Sequence, residues 1–252
     1  MFTIGADPEL FMRNNHKLVS VIDKLGGSKE CPLPLDVPGC AIQEDNVAAE
    51  FNIPPCTDVV AFKKHINYVL ADLTQRAQAM GLQLAANVAS HSFDQEELNH
   101  WKAGVFGCEP DYNAWTFKVN PPPRCNDLSL RSAGGHVHIG SKLNPYKLGR
   151  ACDLFLGVPS TRMDSDTRRR KLYGRAGAIR VKPYGVEYRT LSNFWIWSEE
   201  HMDWVYEQTS KAVEFVNYGN EIPTIIGIAI RKAINDADPK AYDIAMEYAN
   251  AL

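Results

Sequence analysis

Four stretches of this sequence alternate apolar and chemically reactive side chains with a period of two, and that pattern limits what the chain can fold into. The clearest lies in RSAGGHVHIGSK, residues 131–142. In an extended segment successive side chains point to opposite faces. His136 and His138 then share one face, and Val137 and Ile139 share the other. MFTIGADPELFM at the start reads as a strand that breaks at Gly5 and carries Asp7 and Glu9, two apart. GCAIQEDNVAAEFNIPP, residues 39–55, reads as a strand or hairpin closed by a double proline, which has no N–H to give to a ladder. Glu44 and Glu50 lie six apart there, so an unbroken strand puts both on one face with Asn46, Ala48 and Asn52, and Asp45, Val47, Ala49, Phe51 and Ile53 on the other. In GVEYRTL, Glu187 and Arg189 share a face opposite Val186, Tyr188 and Thr190.

Carboxylates gathered on one sheet face repel each other unless cations sit between them. Oxygen ligands with an imidazole suit Mg²⁺ or Mn²⁺, and two such ions bridge nucleotide phosphates well. Each residue also has a plain structural reading. A strand Glu can be a solvated charge, His136 a core histidine bonded to backbone, and Asp7 before Pro8 a turn residue. Co-occurrence favours chemistry: the one-sided alternation recurs on several strands, each bordered by glycine.

The rest of the chain supplies a frame for these strands. Thr57 and Asp58 cap an amphipathic helix in which Val59, Phe62, Ile66, Val69, Leu70 and Leu73 keep helical spacing, and Gly81 ends it. LQLAANVASHSF reads as a strand. Residues 104–126 shift to glycine, aromatics and PPP, a long ordered loop of the kind that carries function. Asn144-Pro145 opens a helix running toward Leu156. A basic loop follows, with Arg162, Arg168, Arg169, Arg170, Lys171, Arg175, Arg180 and Lys182. It is either a solvated face or a clamp for phosphate oxygens, where bidentate guanidinium geometry matters. The small residues of RAGAIR would let Arg175 and Arg180 approach a ligand closely. NFWIW, residues 193–197, reads as core in preference to interface. Three helices finish the chain, near 198–216, near 223–234 and from Asp238-Pro239 onward. The expectation is an α+β fold with a mostly antiparallel sheet, one domain over 1–252 with a helical portion from about 198.

Composition excludes several classes. A formal net charge of −3 lacks the basic footprint of a general nucleic-acid or anionic-membrane binder. The longest apolar runs, such as TIIGIAI, fall far short of the roughly 20 residues that cross a bilayer. No basic n-region followed by an apolar h-region opens the sequence. The six cysteines, Cys31, Cys40, Cys56, Cys108, Cys125 and Cys152, form no CxxC pair, so neither a structural zinc nor disulfides are implied. A reducing, cytoplasmic setting is the expectation. HExxH, GxSxG, GxxxxGK[ST] and GxGxxG are all absent, so any nucleotide is held without a P-loop. No acid follows the His-x-His within a few residues, unlike a cupin, and its mid-chain place differs from that in barrel metallohydrolases.

GADPE, QEDNVAAEFNIPP, GCEPDYNAW, GGHVHIG and KPYGVEYRTLSNFW, in this order, resemble the carboxylate–amine ligases of the glutamine synthetase and glutamate–cysteine ligase superfamily, and most closely the phage-type COOH-NH2 ligases, or amidoligases. The resemblance implies a glutamine synthetase-like curved, mostly antiparallel sheet with helices on its outer side. It also implies an ATP- and Mg²⁺-dependent (or Mn²⁺-dependent) ligase forming an amide through an acyl phosphate. Carried over to this sequence, Glu9, Glu44 and Glu50 would ligate one metal, and Asp7, His136 and Glu187 another. His138 would contact nucleotide phosphate, Arg189 the transferred phosphoryl group or substrate carboxylate, and Arg175 and Arg180 phosphate oxygens. Many relatives carry Glu-x-Glu where this chain has Asp7-Pro8-Glu9. A bulge would exchange Glu44 with Asp45. Asp111 is the acid placed near the amine, with a turn residue as its alternative.

The implied partners are small-molecule or peptide carboxylates and amines, with neither membrane nor nucleic acid. A homo-oligomer stays open, as does a host-cytoplasm location for a phage-encoded chain. Two other readings stand beside the ligase: a catalytically silent nucleotide-binding module, and a metal-dependent amide hydrolase using the same face.

Overall fold

The structure, a computed structural model, describes residues 2–104, 111–122 and 126–252. Pro123, Cys108 and Cys125, and the residues 107–110 of GCEPDYNAW, lie outside them. The first half of the chain contributes β1 (Thr3–Ala6), β2 (Glu9–Asn14), β3 (Lys17–Val19), β4 (Leu33–Pro34), β5 (Ala41–Asp45), β6 (Ala48–Cys56), β7 (Gln83–Ala85), β8 (Ser90–Ser92) and β9 (Tyr112–Asn113). The second half adds β10 (Leu130–Ser132), β11 (Val137–Gly140), β12 (Ala178–Lys182) and β13 (Gly185–Tyr188). One antiparallel sheet runs β3-β2-β6-β1-β11-β13-β12-β9, extended by β5 and β4 beside β6 and by β7 beside β2. β8 and β10 pair separately. The mixed α+β class and the large antiparallel sheet agree with the period-two reading.

The apolar side of the alternation forms the core. Ile4, Phe51, Val137, Ile139, Val186 and Tyr188 are all fully buried. Against them pack α1 (Val59–Ala79) and α3 (Pro145–Cys152), with α6 (Glu199–Asn217) on both of these helices, while α7 (Thr224–Asp236) and α8 (Pro239–Asn250) pack against each other behind; α2 (Gln95–Leu98) is a single turn after β8. Asp58 caps α1 by accepting from the Ala61 N–H at 2.8 Å, and the helix buries Phe62, Ile66, Val69, Leu73 and Ala77 at three- and four-residue spacing. Asn144 caps α3, accepting from two N–H groups. NFWIW is a buried 3₁₀ turn, with Trp195 stacked on Phe62, so its core reading holds. No helix among the described residues is long and apolar enough to cross a membrane.

Several local expectations need correction. The first strand runs through Gly5 and breaks at Asp7-Pro8, because the proline has no N–H for the ladder. β6 includes both prolines of its double proline. There the register against β1 slips between Ile4↔Cys56 and Ala6↔Ile53, and this bulge accommodates residues that cannot donate. LQLAANVASHSF splits into β7 and β8, with Asn87 at φ 59 between them. The helix opened by Pro145 passes Leu156, widening to a π segment at Asp153–Gly157 and continuing as α4 (Val158–Met163). The basic stretch contains α5 (Thr167–Leu172) and is not a loop throughout.

Candidate active site

The polar side of the sheet gathers its reactive side chains in two rows. Strand register places Gly5 opposite His138, His138 opposite Glu187, and Glu187 opposite Arg180 across four adjacent strands. Asp7, His136 and Arg189, each two residues along the chain and one residue beyond an end of β1, β11 and β13, reach the same cluster. Farther along, Glu9 pairs with Glu50, and Glu50 with Gln43, across β2, β6 and β5.

Paired glycines leave room for the His136 ring and for the segment that follows β13. A Cβ on Gly134 would lie 2.4 Å from His136 Nε2, and one on Gly135 2.3 Å from the Ser192 carbonyl oxygen. Only residues without a Cβ fit there. This accounts for the two glycines that precede the His-x-His strand.

The first row is closely packed. His138 Nε2 lies 3.0 Å and His136 Nδ1 3.3 Å from Asp7 Oδ1, and His136 Nδ1 is 3.8 Å from Glu187. Ligand atoms of Asp7, His138 and Glu187 all fall within 4.8 Å of one another. Asp7 Oδ1 and His138 Nε2 are buried, yet neither has a hydrogen bond of acceptable geometry. Burial opposes ionisation of Asp7, but His138 and His136 together hold its carboxyl well below the usual carboxylate range. Burial and then the Arg189 charge push His136 down to about 4, which keeps its imidazole neutral at pH 7. Burial works to lower His138 as well, but the Asp7 and Glu187 carboxylates together outweigh it and the net shift is upward.

Glu187 is fully buried and draws three cations. Arg180 Nη1 donates to both carboxylate oxygens at 3.0 Å, Arg189 Nη1 donates to Oε1, and Lys182 Nζ lies 3.5 Å from Oε2. Burial and Asp7 work to raise its carboxyl, but Arg189, His136 and Arg180 bring it below its ordinary value. Asp111 reaches the same cluster from just before β9, the strand paired with β12, its Oδ2 3.8 Å from Arg189 Nε, and burial pushes its carboxyl up.

The second row is acidic apart from Gln43. Burial and then the Asp45 charge raise Glu9 to about 7. Glu50, raised well above its ordinary value, is shifted by burial and by Asp7, Asp45 and Glu9. Asp45, at the rim, is raised by its packed surroundings, while Lys29 and Arg189 pull it the other way. Like charges crowded in this way favour a cation nearby, while Asp7, His138 and Glu187 are the group that brings three ligand atoms within 4.8 Å of one another among the described residues.

Glu44 does not join them. A two-residue turn at Asn46-Val47, with Asn46 at φ 54, folds β5 back on β6, so Asp45 opposes Ala48 and Glu44 opposes Ala49. Counting six residues along an unbroken strand therefore assigns the wrong face. The Glu44 carboxylate instead accepts from the N–H groups of Asp23, Lys24, Leu25 and Gly26. Asp45 takes its place on the polar side.

Arg175 is also elsewhere: it is exposed and donates to the Lys171 carbonyl at 3.2 Å. Most of the basic segment is structural. Arg162 stacks on Tyr242, Arg168 bonds Ser90 O and Asp166, Arg169 donates to the Thr190 and Arg189 carbonyls, and Arg170 donates to the Asp164 carbonyl. Arg180 and Lys182 alone of that segment bond Glu187 among the described residues. Sequence reading gave no role to Gln43, which donates to Glu50 at 2.8 Å, or to Tyr184, whose hydroxyl meets His138 Nδ1. Hairpin pairing of β5 with β6 is the signal that would have found Gln43.

Residues 127–213 match the family model described as phage phiEco32-like COOH.NH2 ligase-type 2. A search of curated proteins gives no match. That description is of a carboxylate–amine ligase, and the matched span of this ligase family carries His136, His138, Arg180, Glu187 and Arg189. Asp7, Glu9, Asp45, Glu50 and Asp111 lie outside the matched residues and meet that span only in the folded chain.

The donor set fits divalent cations. Carboxylate oxygens with imidazole nitrogens suit Mg²⁺ or Mn²⁺, and two of the converging atoms are buried without hydrogen bonds.

Proposed function

We propose that the protein is an ATP- and Mg²⁺-dependent carboxylate–amine ligase acting on an amino-acid or peptide-like substrate. The observation that carries this reading is the convergence of two imidazoles, the Asp7 and Glu187 carboxylates and two arginines, in part within the span matched by the ligase family.

Joining a carboxylate to an amine is uphill in water because carboxylate oxygen is a poor leaving group. In the proposed reaction the substrate carboxylate oxygen attacks the γ-phosphorus of ATP and ADP leaves. The amine nitrogen then attacks the acyl carbon, the C–O bond to phosphate breaks, and phosphate departs. Asp7, His136, His138 and Glu187 would hold one divalent ion, and Glu9, Asp45 and Glu50 a second. Such ions, when bound, neutralise charge spread over phosphoryl oxygens.

Arg189 and Arg180 serve that same charge with fixed guanidinium donors. Both are held in place through Glu187, so they are oriented before substrate arrives. Asp111, raised by burial, takes the proton that the incoming ammonium must lose.

A coupled phosphate-release assay with ATP, Mg²⁺ and pools of amino acids and short peptides tests this reading. Release that needs both an acid and an amine, and that disappears in His136→Ala, is expected. Nucleotide binding without release across all pools would favour a silent module, and amide cleavage without nucleotide would favour a hydrolase.

A further inference from the structure

Tyr184 lies on the two-residue turn between β12 and β13. Its backbone is held from both sides. The Ser141 N–H donates to the Tyr184 carbonyl at 2.8 Å. Gly185 beside it has φ +150, and a Cβ there would lie 2.2 Å from the Ile139 carbonyl oxygen. The turn is thus fixed against the end of β11, and the ring folds back over His138. The two rings stack at 6.0 Å between centroids and 23° between planes, and the Tyr184 hydroxyl meets His138 Nδ1. The other nitrogen, Nε2, faces Asp7 Oδ1 at 3.0 Å without a hydrogen bond of proper geometry.

From this arrangement we infer that Tyr184 is a positioning residue for a divalent cation: its hydroxyl oxygen accepts the His138 Nδ1–H and so keeps the Nε2 lone pair aimed at the space between Asp7 and Glu187. The inference rests on the metal reading of that triad. An imidazole that binds a cation through one nitrogen places its proton on the other, and the acceptor of that proton fixes both tautomer and ring orientation. Carboxylates and backbone carbonyls usually fill this role. Here a phenol on a rigid turn is the group in reach. Burial and the Glu187 and Asp7 charges push its pKa up, so it stays a phenol throughout the working range.

Tyr184→Phe keeps the stacked ring and removes only the oxygen, so the fold is retained and the effect is specific. Mn²⁺ affinity, followed by the paramagnetic resonance signal of the free ion, is measured for the wild type, Tyr184→Phe and His138→Ala. Weakening by roughly 10–100-fold in Tyr184→Phe is expected, as for other partners of metal-bound histidines. In Mg²⁺-saturated protein, nitrogen–proton correlation of the His138 ring should show a single Nδ1–H tautomer in the wild type and a mixture in Tyr184→Phe. Equal Mn²⁺ affinity in wild type and Tyr184→Phe, with His138→Ala impaired, overturns the role of Tyr184 alone. Wild-type protein that binds no Mn²⁺, or that binds it as well as His138→Ala does, overturns the metal reading itself.

Discussion

Glu9 and Gly134 clasp one another through two hydrogen bonds: the Glu9 N–H donates to the Gly134 carbonyl at 2.8 Å, and the Gly134 N–H donates to the Glu9 carboxylate at 2.7 Å. This link ties the acid on β2 to the start of the His-x-His strand. A methyl on Gly134 would fall 2.4 Å from His136 Nε2 and 3.0 Å from Arg169 Nη2, both on buried side chains. Gly134→Ala should therefore lose about 1–3 kcal/mol of stability in urea unfolding and, by displacing His136, weaken Mn²⁺ binding. A variant as stable and as tight as the wild type would contradict the packing described here.

Glu44 and Asp45 are neighbours with opposite assignments. Glu44 accepts four backbone N–H groups, so Glu44→Ala should cost about 1.5–3 kcal/mol and leave cation binding nearly intact. Asp45→Asn should keep or gain stability, since it removes a charge crowding Glu9 and Glu50, while weakening Mn²⁺ binding. Urea titration and cation titration of the pair give the two readouts. The reverse pattern would return Glu44 to the site.

Glu187 calls for a choice of substitution. Its carboxylate is shared by Arg180, Arg189 and Lys182 in a fully buried position, so Glu187→Ala should destabilise by about 3–5 kcal/mol. Glu187→Gln keeps the shape and should melt closer to the wild type while losing phosphate release. Calorimetric melting of both variants checks this ordering. Equal melting temperatures for Glu187→Ala and the wild type would mean that the shared ion pairs contribute no stability.

Asp153, bonded to the core-facing Tyr188, governs a pH dependence of its own. It opens the π segment and accepts from Trp115 Nε1 at 2.6 Å and from the Tyr188 hydroxyl at 2.8 Å, and burial raises its pKa from 3.8 to about 7. Between those values the folded protein holds a proton that the unfolded chain has released. Stability from this group is therefore full below about pH 4 and falls as pH rises toward 7, by on the order of 4 kcal/mol. Asp153→Asn can still accept from Trp115 and donate to Tyr188. Its stability relative to the wild type should rise across that window in urea unfolding at several pH values. A constant difference between the two proteins would remove Asp153 as the cause.

Strand alternation made the site legible wherever a strand was unbroken. His136 with His138 and Glu187 with Arg189 follow from spacing alone, as does the apolar side that became the core. The hairpin defeated the same rule, because a two-residue turn reverses the chain and changes which parity shares a face. Asn46, able to take positive φ, is the residue that marked the turn in the sequence. Arg175 and the other displaced arginines show the second limit. Charge density along a sequence does not say whether a guanidinium meets a ligand, a carboxylate or a backbone carbonyl. Tyr184 was invisible because it sits on a turn and its partner, His138, lies on a strand distant in sequence.

The most direct measurement is a crystal structure of the protein grown with Mn²⁺, with anomalous difference maps to locate the ion. Peaks bounded by Asp7, His138 and Glu187 and by Glu9, Asp45 and Glu50 are expected. Strong Mn²⁺ peaks elsewhere, with both of these places empty at saturating ion, would contradict that placement.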